Sequence, residues 1–560
     1  APRPRAAGPR SWAHPFDTRH LRRRAGARTR ATMPHWRLAA LAAAAAAASP
    51  LAGDEPGKQA TKADAISGCT VGIVGAGWSG IYWAWRVGVD AKVVPAGEVC
   101  IFEAYARVGG RTYTVEETGI NGSHLEVDVG AYRFAGDMHL PADLILKALE
   151  LRTTCYDPTC KDEVDGIHWP YKEPLRKVID EDGRNAGYET PLKTMLGQVL
   201  AAGGRLFRGH RLVALDALPA GAGGSGPASF QGPGAAVLRF SNGLSATVRR
   251  ALLNLPRQVL LGIQGLAKAG DPRTRQVLQC GATDFSIKAS SVIHSSAAGR
   301  TSSGGAKAYA YYEDAWWLSK LNLTRGNFQD KTANPPLVMR YHDGPVECAR
   351  GKDVADNIIW GKPMAGARCR GALQVVYDFY GMGWWLRLQQ RHYEPASLLT
   401  SPQVLAEVHE RLMATHGDLL KSVGVDPRSL PGPRWIALGT WVKRPDALQP
   451  APEKVVYEGG DKGLARECGV EGLTAAEYAM RVLSPVWPTV WLANNDFHAQ
   501  SVGGFDGDWA QDSLLLAERV LRKLQVPAPA WLNATYYEAR IVRAGGADSV
   551  QREAMPPIVV

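Results

Sequence analysis

Short, continuous apolar runs, separated by longer mixed segments, are the strongest pattern along this chain. Val71-Gly72-Ile73-Val74 is the first and breaks at once into Gly75-Ala76-Gly77-Trp78-Ser79-Gly80. Val99-Cys100-Ile101-Phe102 is the second and ends at Glu103. Such runs, bounded by turn residues, are those of strands buried on both faces. Further on, the pattern predicts a helix over 192–202 and strands over 206–215, 237–240 and 251–255, the last closed by Pro256. From about 263 to 477 the periodicity loosens into aromatic-rich strand and helix, with Tyr309, Tyr311, Tyr312, Trp316, Trp317, Tyr380, Trp384, Trp385 and Trp441. Most of these aromatics are expected in the core. Thr489–Ala493 then reads as a strand and 512–524 as an amphipathic helix. No internal repeat is visible.

The two first runs frame a motif with a mechanism. A strand that breaks into G-x-G-x-x-G and then a helix aims backbone N–H groups and the positive helix end at a pyrophosphate. Gly75 permits the tight turn, Gly77 lets a phosphate approach, and Gly80 lets the helix pack on the sheet. Glu103 follows Gly80 by 23 residues, near the spacing of roughly 20 at which an acid holds a ribose diol. A carboxylate there repels a 2′-phosphate, which leaves NAD or FAD and disfavours NADP.

Length and charge narrow the setting. A chain of 560 residues exceeds one hydrophobic core. The net charge of +11 suggests nucleic acid until it is located: residues 1–32 hold nine Arg and one acid, so +8 lies there and only +3 in the other 528 residues. No basic stripe with interleaved aromatics follows, so no nucleic-acid partner is expected. Met33–Arg37 and the apolar Leu38–Ala48 resemble a signal peptide, with cleavage points through Gly53. Secretion is therefore expected; an Arg-rich organellar leader is the alternative. No later apolar run is long enough to span a membrane. Sequons at Asn121, Asn322 and Asn533 could carry glycans. Of eight Cys, Cys155 and Cys160 form the most credible local bridge, whereas Cys100 reads as a small core hydrophobe. No spacing indicates a metal site.

The residues after Glu103 carry a family resemblance. Glu103-Ala104-Tyr105-Ala106-Arg107-Val108-Gly109-Gly110-Arg111 fills every marked position of E-x-x-x-R-x-G-G-R, and resembles the flavin-containing amine oxidases over roughly 68–525. That resemblance implies non-covalent FAD, with this turn wrapping its pyrophosphate. It also implies an α/β fold: a discontinuous Rossmann-like FAD-binding domain (68–140, 185–262, 478–526) and an interleaved α+β substrate domain (141–184, 263–477). A leader (1–53) precedes them and a tail (527–560) follows. In this family Leu212 would meet adenine through its backbone, and Asn254-Leu255-Pro256 would end the next strand; Leu212 also fits a plain core position. Gly-rich 221–227 and 232–234 predict a surface loop.

Three positions would turn a flavoprotein into an oxidase. Lys307, ten residues before Trp317, resembles the lysine that holds a water against flavin N5, where a cation stabilises charge developing on oxygen; a solvent-facing strand-end lysine is the bland alternative. Asp128-Val129-Gly130-Ala131-Tyr132-Arg133 resembles the loop beneath the flavin. Its arginine matches the L-amino-acid oxidase branch, where guanidinium forks onto the substrate carboxylate. Pairing of Arg133 with Asp128 or a phosphate is the alternative. The C-terminal block departs from the family: Ala493-Asn494-Asn495 replaces Ala-Gly-acid, leaving Asn495 to meet the ribityl chain. Gly504-Phe505 resembles the aromatic wall over the substrate, with Trp441 as a candidate second wall, and both fit core positions equally.

The implied reaction oxidises L-amino acids to imino acids that hydrolyse to 2-oxo acids and ammonia, with molecular oxygen reduced to hydrogen peroxide. An oxidase of amines or polyamines, or a catalytically impaired FAD-binding relative, are the alternatives. A homodimer remains open.

Overall fold

The computed structural model describes residues 65–118, 124–156, 160, 163–164, 167–168, 173–218, 230, 234–255, 259–260, 262–266, 304–330, 334–341, 343–350, 353–356, 368–378, 383–392, 396–442, 483–494 and 510–543. The leader, the sequon at Asn121, the loop at 221–227 and residues 232–233 of the next, Tyr380, Asn495 and Gly504-Phe505 lie outside them, as do Cys280 and Cys468.

The elements that position the site run in this order. Strand β1 (Val71–Val74) leads into helix α1 (Trp78–Trp85), followed by β2 (Val99–Glu103) and the hairpin strands β3 (Thr114–Thr118) and β4 (His124–Asp128). Helix α2 (Thr190–Ala201), β5 (Arg205–Arg208) and β6 (Arg250–Leu253) follow. Next come β7 (Gly304–Tyr312), β8 (Leu337–Arg340), β9 (Val346–Arg350), β10 (Arg368–Asp378), helix α3 (Pro402–Ser422) and β11 (Trp435–Val442). Strand β12 (Val490–Leu492) and helix α4 (Ala510–Lys523) end the series.

Five strands from distant parts of the chain build a parallel sheet in the order β5-β2-β1-β6-β12. Its central strands are buried along their whole length, as the unbroken apolar runs predict for a sheet covered on both faces. Helix α1 shows no polar stripe, because all eight of its residues are buried. It is wedged between α2 and α4, and Arg86, just past its end, is held by Glu518 of α4 at 2.7 Å in a buried pair. Tyr82 donates to the same Glu518 oxygen at 2.6 Å. A buried pair of this kind is costly to break, since the surviving charge loses its partner.

The second sheet is antiparallel, with β8-β10-β7-β11 at its centre. Strand β7 shows how one sequence serves two faces, since alternate side chains point to opposite sides. Ala306, Ala308 and Ala310 pack in a cluster with Val408, Leu412 and Leu420 of α3, together with Trp316, Trp317 and Trp385. Small residues there let the helix approach closely. Each fully buried Leu or Val of α3 contributes roughly 1.5–3 kcal/mol. Lys307, Tyr309 and Tyr311 take the other face. There Tyr309 and Tyr311 meet Val115, Leu125, Val127 and Val129 of the β3–β4 hairpin and the residue after it.

The first core gathers residues from 69–266 and 483–541, and the second draws its residues from 306–438. Leu144, Ile145, Leu175 and Val178 join the first, and so do Leu532 and Ile541 beyond α4. One reading of the cysteines is corrected. Cys100 is not a lone core thiol but is bonded to Cys69. The segment entering β1 runs beside the start of β2, where Thr70 N–H donates to Glu98 O at 2.9 Å, and this brings the two Cα atoms to 5.7 Å. Cys155–Cys160 is a disulfide as expected, and Cys348–Cys369 joins directly opposed residues of β9 and β10. Asn322 and Asn533 are exposed.

Candidate functional site

The glycine turn between β1 and α1 is shaped by what cannot fit beside it. Gly75 has φ +96°, and a Cβ there would lie 2.4 Å from Asn254 O. A Cβ on Gly80 would lie 2.0 Å from Gly75 O, so α1 closes onto the turn only without a side chain. Gly77 is the N-cap of α1; no side chain caps it and no acid occupies the first turn. The N–H groups of the first helical turn, Trp78, Ser79 and Gly80 among them, therefore face the space before the helix. Trp78 and Ser79 offer only their backbone to it. The Trp78 indole donates to Thr112 Oγ1 at 2.9 Å, and the Ser79 hydroxyl to Ser513 O at 3.0 Å.

Glu103 is buried at the end of β2 and braces that turn. Its Oε2 accepts from Ala76 N–H at 2.8 Å and its Oε1 from Tyr105 N–H at 3.0 Å. Burial pushes its carboxyl above the usual range, while those two amides and Arg107 pull the other way. Ala104 follows it, half-buried. Arg107 is the staple of the next turn: its guanidinium donates to Gly110 O at 2.6 Å, Val108 O at 3.0 Å and Thr112 O at 3.3 Å. Gly109 N–H donates to Ala76 O at 2.7 Å. A Cβ on Gly110 would lie 3.5 Å from Gly77 Cα. Two glycine turns thus face one another across a gap that side chains would fill, and this cradle fits a dinucleotide. Leu212 starts the strand Leu212–Leu218 with its side chain in the first core.

Two residues with no assigned role complete the cradle. Asn254 donates from Nδ2 to Gly75 O at 3.2 Å, and buried Asn494 donates to Asn254 Oδ1 at 3.4 Å. Part of the unusual Asn494-Asn495 pair therefore supports the glycine turn from behind.

The loop after β4 leads from this cradle to a second group of residues. A Cβ on Gly130 would lie 1.6 Å from Arg111 O, so the loop is pressed onto the glycine-arginine turn. Asp128 anchors it, accepting from Thr114 Oγ1 at 2.7 Å and Tyr188 N–H at 2.8 Å. Ala131, half-buried, packs on the first core. Lys307 is wholly buried and donates to Asp128 O at 3.3 Å and Gly130 O at 3.4 Å. It is not the solvent-facing lysine of the bland alternative. Its Nζ sits 3.3 Å from the centroid of the Tyr132 ring. Burial lowers its pKa to about 7, and Arg133 and Arg340 add to the effect against Asp343 and Asp128.

Arg133 lies in the same cage. Its guanidinium carbon is 4.4 Å from the Tyr132 centroid and 4.7 Å from that of Tyr156. The two rings wall the fork on two sides, and guanidinium stays charged without water. The cage also contains Asp343, Tyr156, Tyr309, Gln374, Arg340 and Tyr377, none of which the motifs single out as site residues. The alternation of Lys307, Tyr309 and Tyr311 on one strand face was the signal available for Tyr309. Trp441 lies on β11 opposite Gly305, and its side chain is outside the described residues. Among the described residues no cluster of His, Cys, Asp and Glu could hold a metal ion, and no helix is long and apolar enough to cross a membrane.

Comparison with known proteins accords with the first half of this site. Residues 73–142 match the family model of an NAD(P)-binding Rossmann-like domain. No curated protein matches the chain. Among solved structures, a wild-type putrescine oxidase bound to putrescine is similar at 13% identity and TM-score 0.40, covering 83% of this chain and 100% of that one. A triple mutant of putrescine oxidase, from the same redesign of cofactor binding, gives 14% identity, TM-score 0.38, and 81% and 99% coverage. These scores are too low to carry a functional argument.

Proposed function

We propose that this chain is an FAD-dependent oxidase of L-amino acids, yielding 2-oxo acids, ammonia and hydrogen peroxide. The Rossmann-like sheet with its paired glycine turns supports a dinucleotide, and the E-x-x-x-R-x-G-G-R turn favours FAD among the dinucleotides. When bound, FAD supplies the hydride acceptor for this oxidation. The carrying observation is that Lys307 and Arg133, 174 positions apart in sequence, share one buried aromatic cage on the loop pressed against the dinucleotide turn. Arg133 offers a planar fork to an α-carboxylate. Lys307 offers a proton at Nζ to charge developing on oxygen, and its pKa near neutrality lets it gain or lose that proton. The three disulfides among the described residues accord with entry into the secretory pathway, which is part of this reading.

One observation favours a second reading, an oxidase of amines without a carboxylate. Asp343 brings a negative charge into the cage, where an ammonium could meet it. A peroxide assay of the purified protein over L-amino acids and over simple amines separates the two. Turnover of amino acids that Arg133→Ala abolishes is the expected outcome. Equal turnover of amines, unaffected by Arg133→Ala, would replace the first reading with the second.

A further inference from the structure

Asp343 is a buried carboxylate reached from four separate parts of the chain. Its Oδ2 accepts from Tyr132 OH at 3.5 Å and from Gln374 Nε2 at 2.8 Å, and its Oδ1 accepts from Tyr156 OH. Arg340 Nη1 lies 3.8 Å from Oδ2. Gln374 uses its other proton on Tyr309 OH at 3.0 Å. The turn that carries Asp343 is built close to β10: a Cβ on Gly344 would lie 1.7 Å from Ala372 O.

The tyrosines that Asp343 holds directly are the two whose rings flank Arg133. Tyr132 and Tyr156 meet edge to face, with centroids 5.6 Å apart and planes at 71°, and the guanidinium carbon lies over both rings, which wall it on two sides. Tyr132 is also the ring nearest Lys307. A fork binds a carboxylate in two parallel hydrogen bonds only when its plane is fixed. Resting on the amino-acid oxidase reading above, we propose that Asp343 is a positioning residue for substrate. It holds the two phenols so that their rings set the plane of Arg133, and its charge keeps the proton on Lys307.

The charges around Lys307 support the second half. Strand β4 brings Asp128, the loop after it Tyr132 and Arg133, β8 brings Arg340, β10 brings Tyr377, and Tyr309 lies on its own strand. Asp128, which accepts from Thr114 and Tyr188, is the weaker carboxylate counter-charge at Lys307, and the stronger among the described residues is Asp343. Without it, two arginines face the ammonium, and its proton is lost at lower pH.

Two variants of the full-length, FAD-loaded protein separate geometry from charge. Tyr156→Phe removes one hydroxyl and leaves the carboxylate. It should raise KM for the preferred amino acid, and the Kd for propanoate by calorimetry, about tenfold, as loss of one charge-assisted hydrogen bond implies. Its pH profile for reaction of the reduced enzyme with oxygen should stay in place. Asp343→Asn should raise both constants and also shift the alkaline fall of that profile to lower pH. A folded Asp343→Asn protein with wild-type constants and an unmoved profile overturns the proposal, as does a shift in melting temperature alone. Should Asp343→Asn fail to fold, Tyr156→Phe decides: unchanged KM and propanoate affinity refute the positioning role. Wild-type protein that oxidises amines but no amino acid refutes the reading of substrate instead. The propanoate arm then still tests the clamp on Arg133.

Discussion

Two glycines of one motif should differ in stability, though not in loss of cofactor affinity, when given the same added methyl group. In Gly80→Ala the new Cβ begins 2.0 Å from Gly75 O and 3.1 Å from Asn254 Nδ2. Real Cβ contacts are rarely tighter than about 3.4 Å, so α1 must retreat by more than 1 Å from a turn that Asn254 holds in place. Overpacking of this kind costs about 1–3 kcal/mol, and the retreat also withdraws the helix N–H groups from the pyrophosphate. In Gly77→Ala the nearest atoms are Asn254 Nδ2 at 3.2 Å and Gly110 Cα at 4.0 Å. The Asn254 side chain needs to give only a few tenths of an ångström to admit that methyl, but the methyl stands in the gap between the two glycine turns, where a phosphate would lie. The assays are chemical denaturation of the flavin-free protein and FAD titration by flavin fluorescence. Gly80→Ala should lose both stability and FAD affinity. Gly77→Ala should keep the unfolding midpoint and lose affinity by tenfold or more, about 1.4 kcal/mol. If Gly77→Ala binds FAD as the unaltered protein does, the gap between the turns is not the phosphate site.

Further outcomes follow from the buried charges. Glu103→Ala strands the amides of Ala76 and Tyr105 and should cost about 1–3 kcal/mol for each donor left without an acceptor, read by denaturation; Glu103→Gln, which keeps an acceptor, should recover part of it. Lys307 has a folded pKa near 7, below its ordinary 10.5. Between those values the unfolded chain binds a proton that the folded one does not, so stability rises with pH across the window. Lys307→Met removes that dependence, and its midpoint should therefore gain on the unaltered protein as pH falls from 10 to 7. Parallel pH profiles would show that Lys307 is not desolvated as described.

The buried strands and the glycine turn were legible in the sequence because each is local: an apolar run, a break and a helix are read within 15 residues, whereas the pairing of strands as distant as Val71–Val74 and Val490–Leu492 in one sheet is not local. Glu103 was legible through its distance along the chain, although its carboxylate proved to be engaged with Ala76 and Tyr105 as well as near the cradle. Asn254 and Asp343 were not, since nothing near Asp343 in sequence announces Tyr132 or Tyr156, 211 and 187 positions away. Cys100 was misjudged for a related reason. In a strand buried on both sides, a thiol and half a disulfide occupy the same apolar position, and only the approach of Cys69 decides between them.

The contact of Gly130 with Arg111 has a thermodynamic consequence. At Gly130 not even a methyl group fits between the glycine-arginine turn and the loop that bears Tyr132 and Arg133, so a shift of one there presses on the other. Whatever ordering the cofactor imposes on the turn is felt at the guanidinium. If a bound cofactor raises the affinity of the guanidinium for a carboxylate, then by linkage the carboxylate raises the affinity for the cofactor by the same factor. Occupancy of one site thus becomes a report on the other.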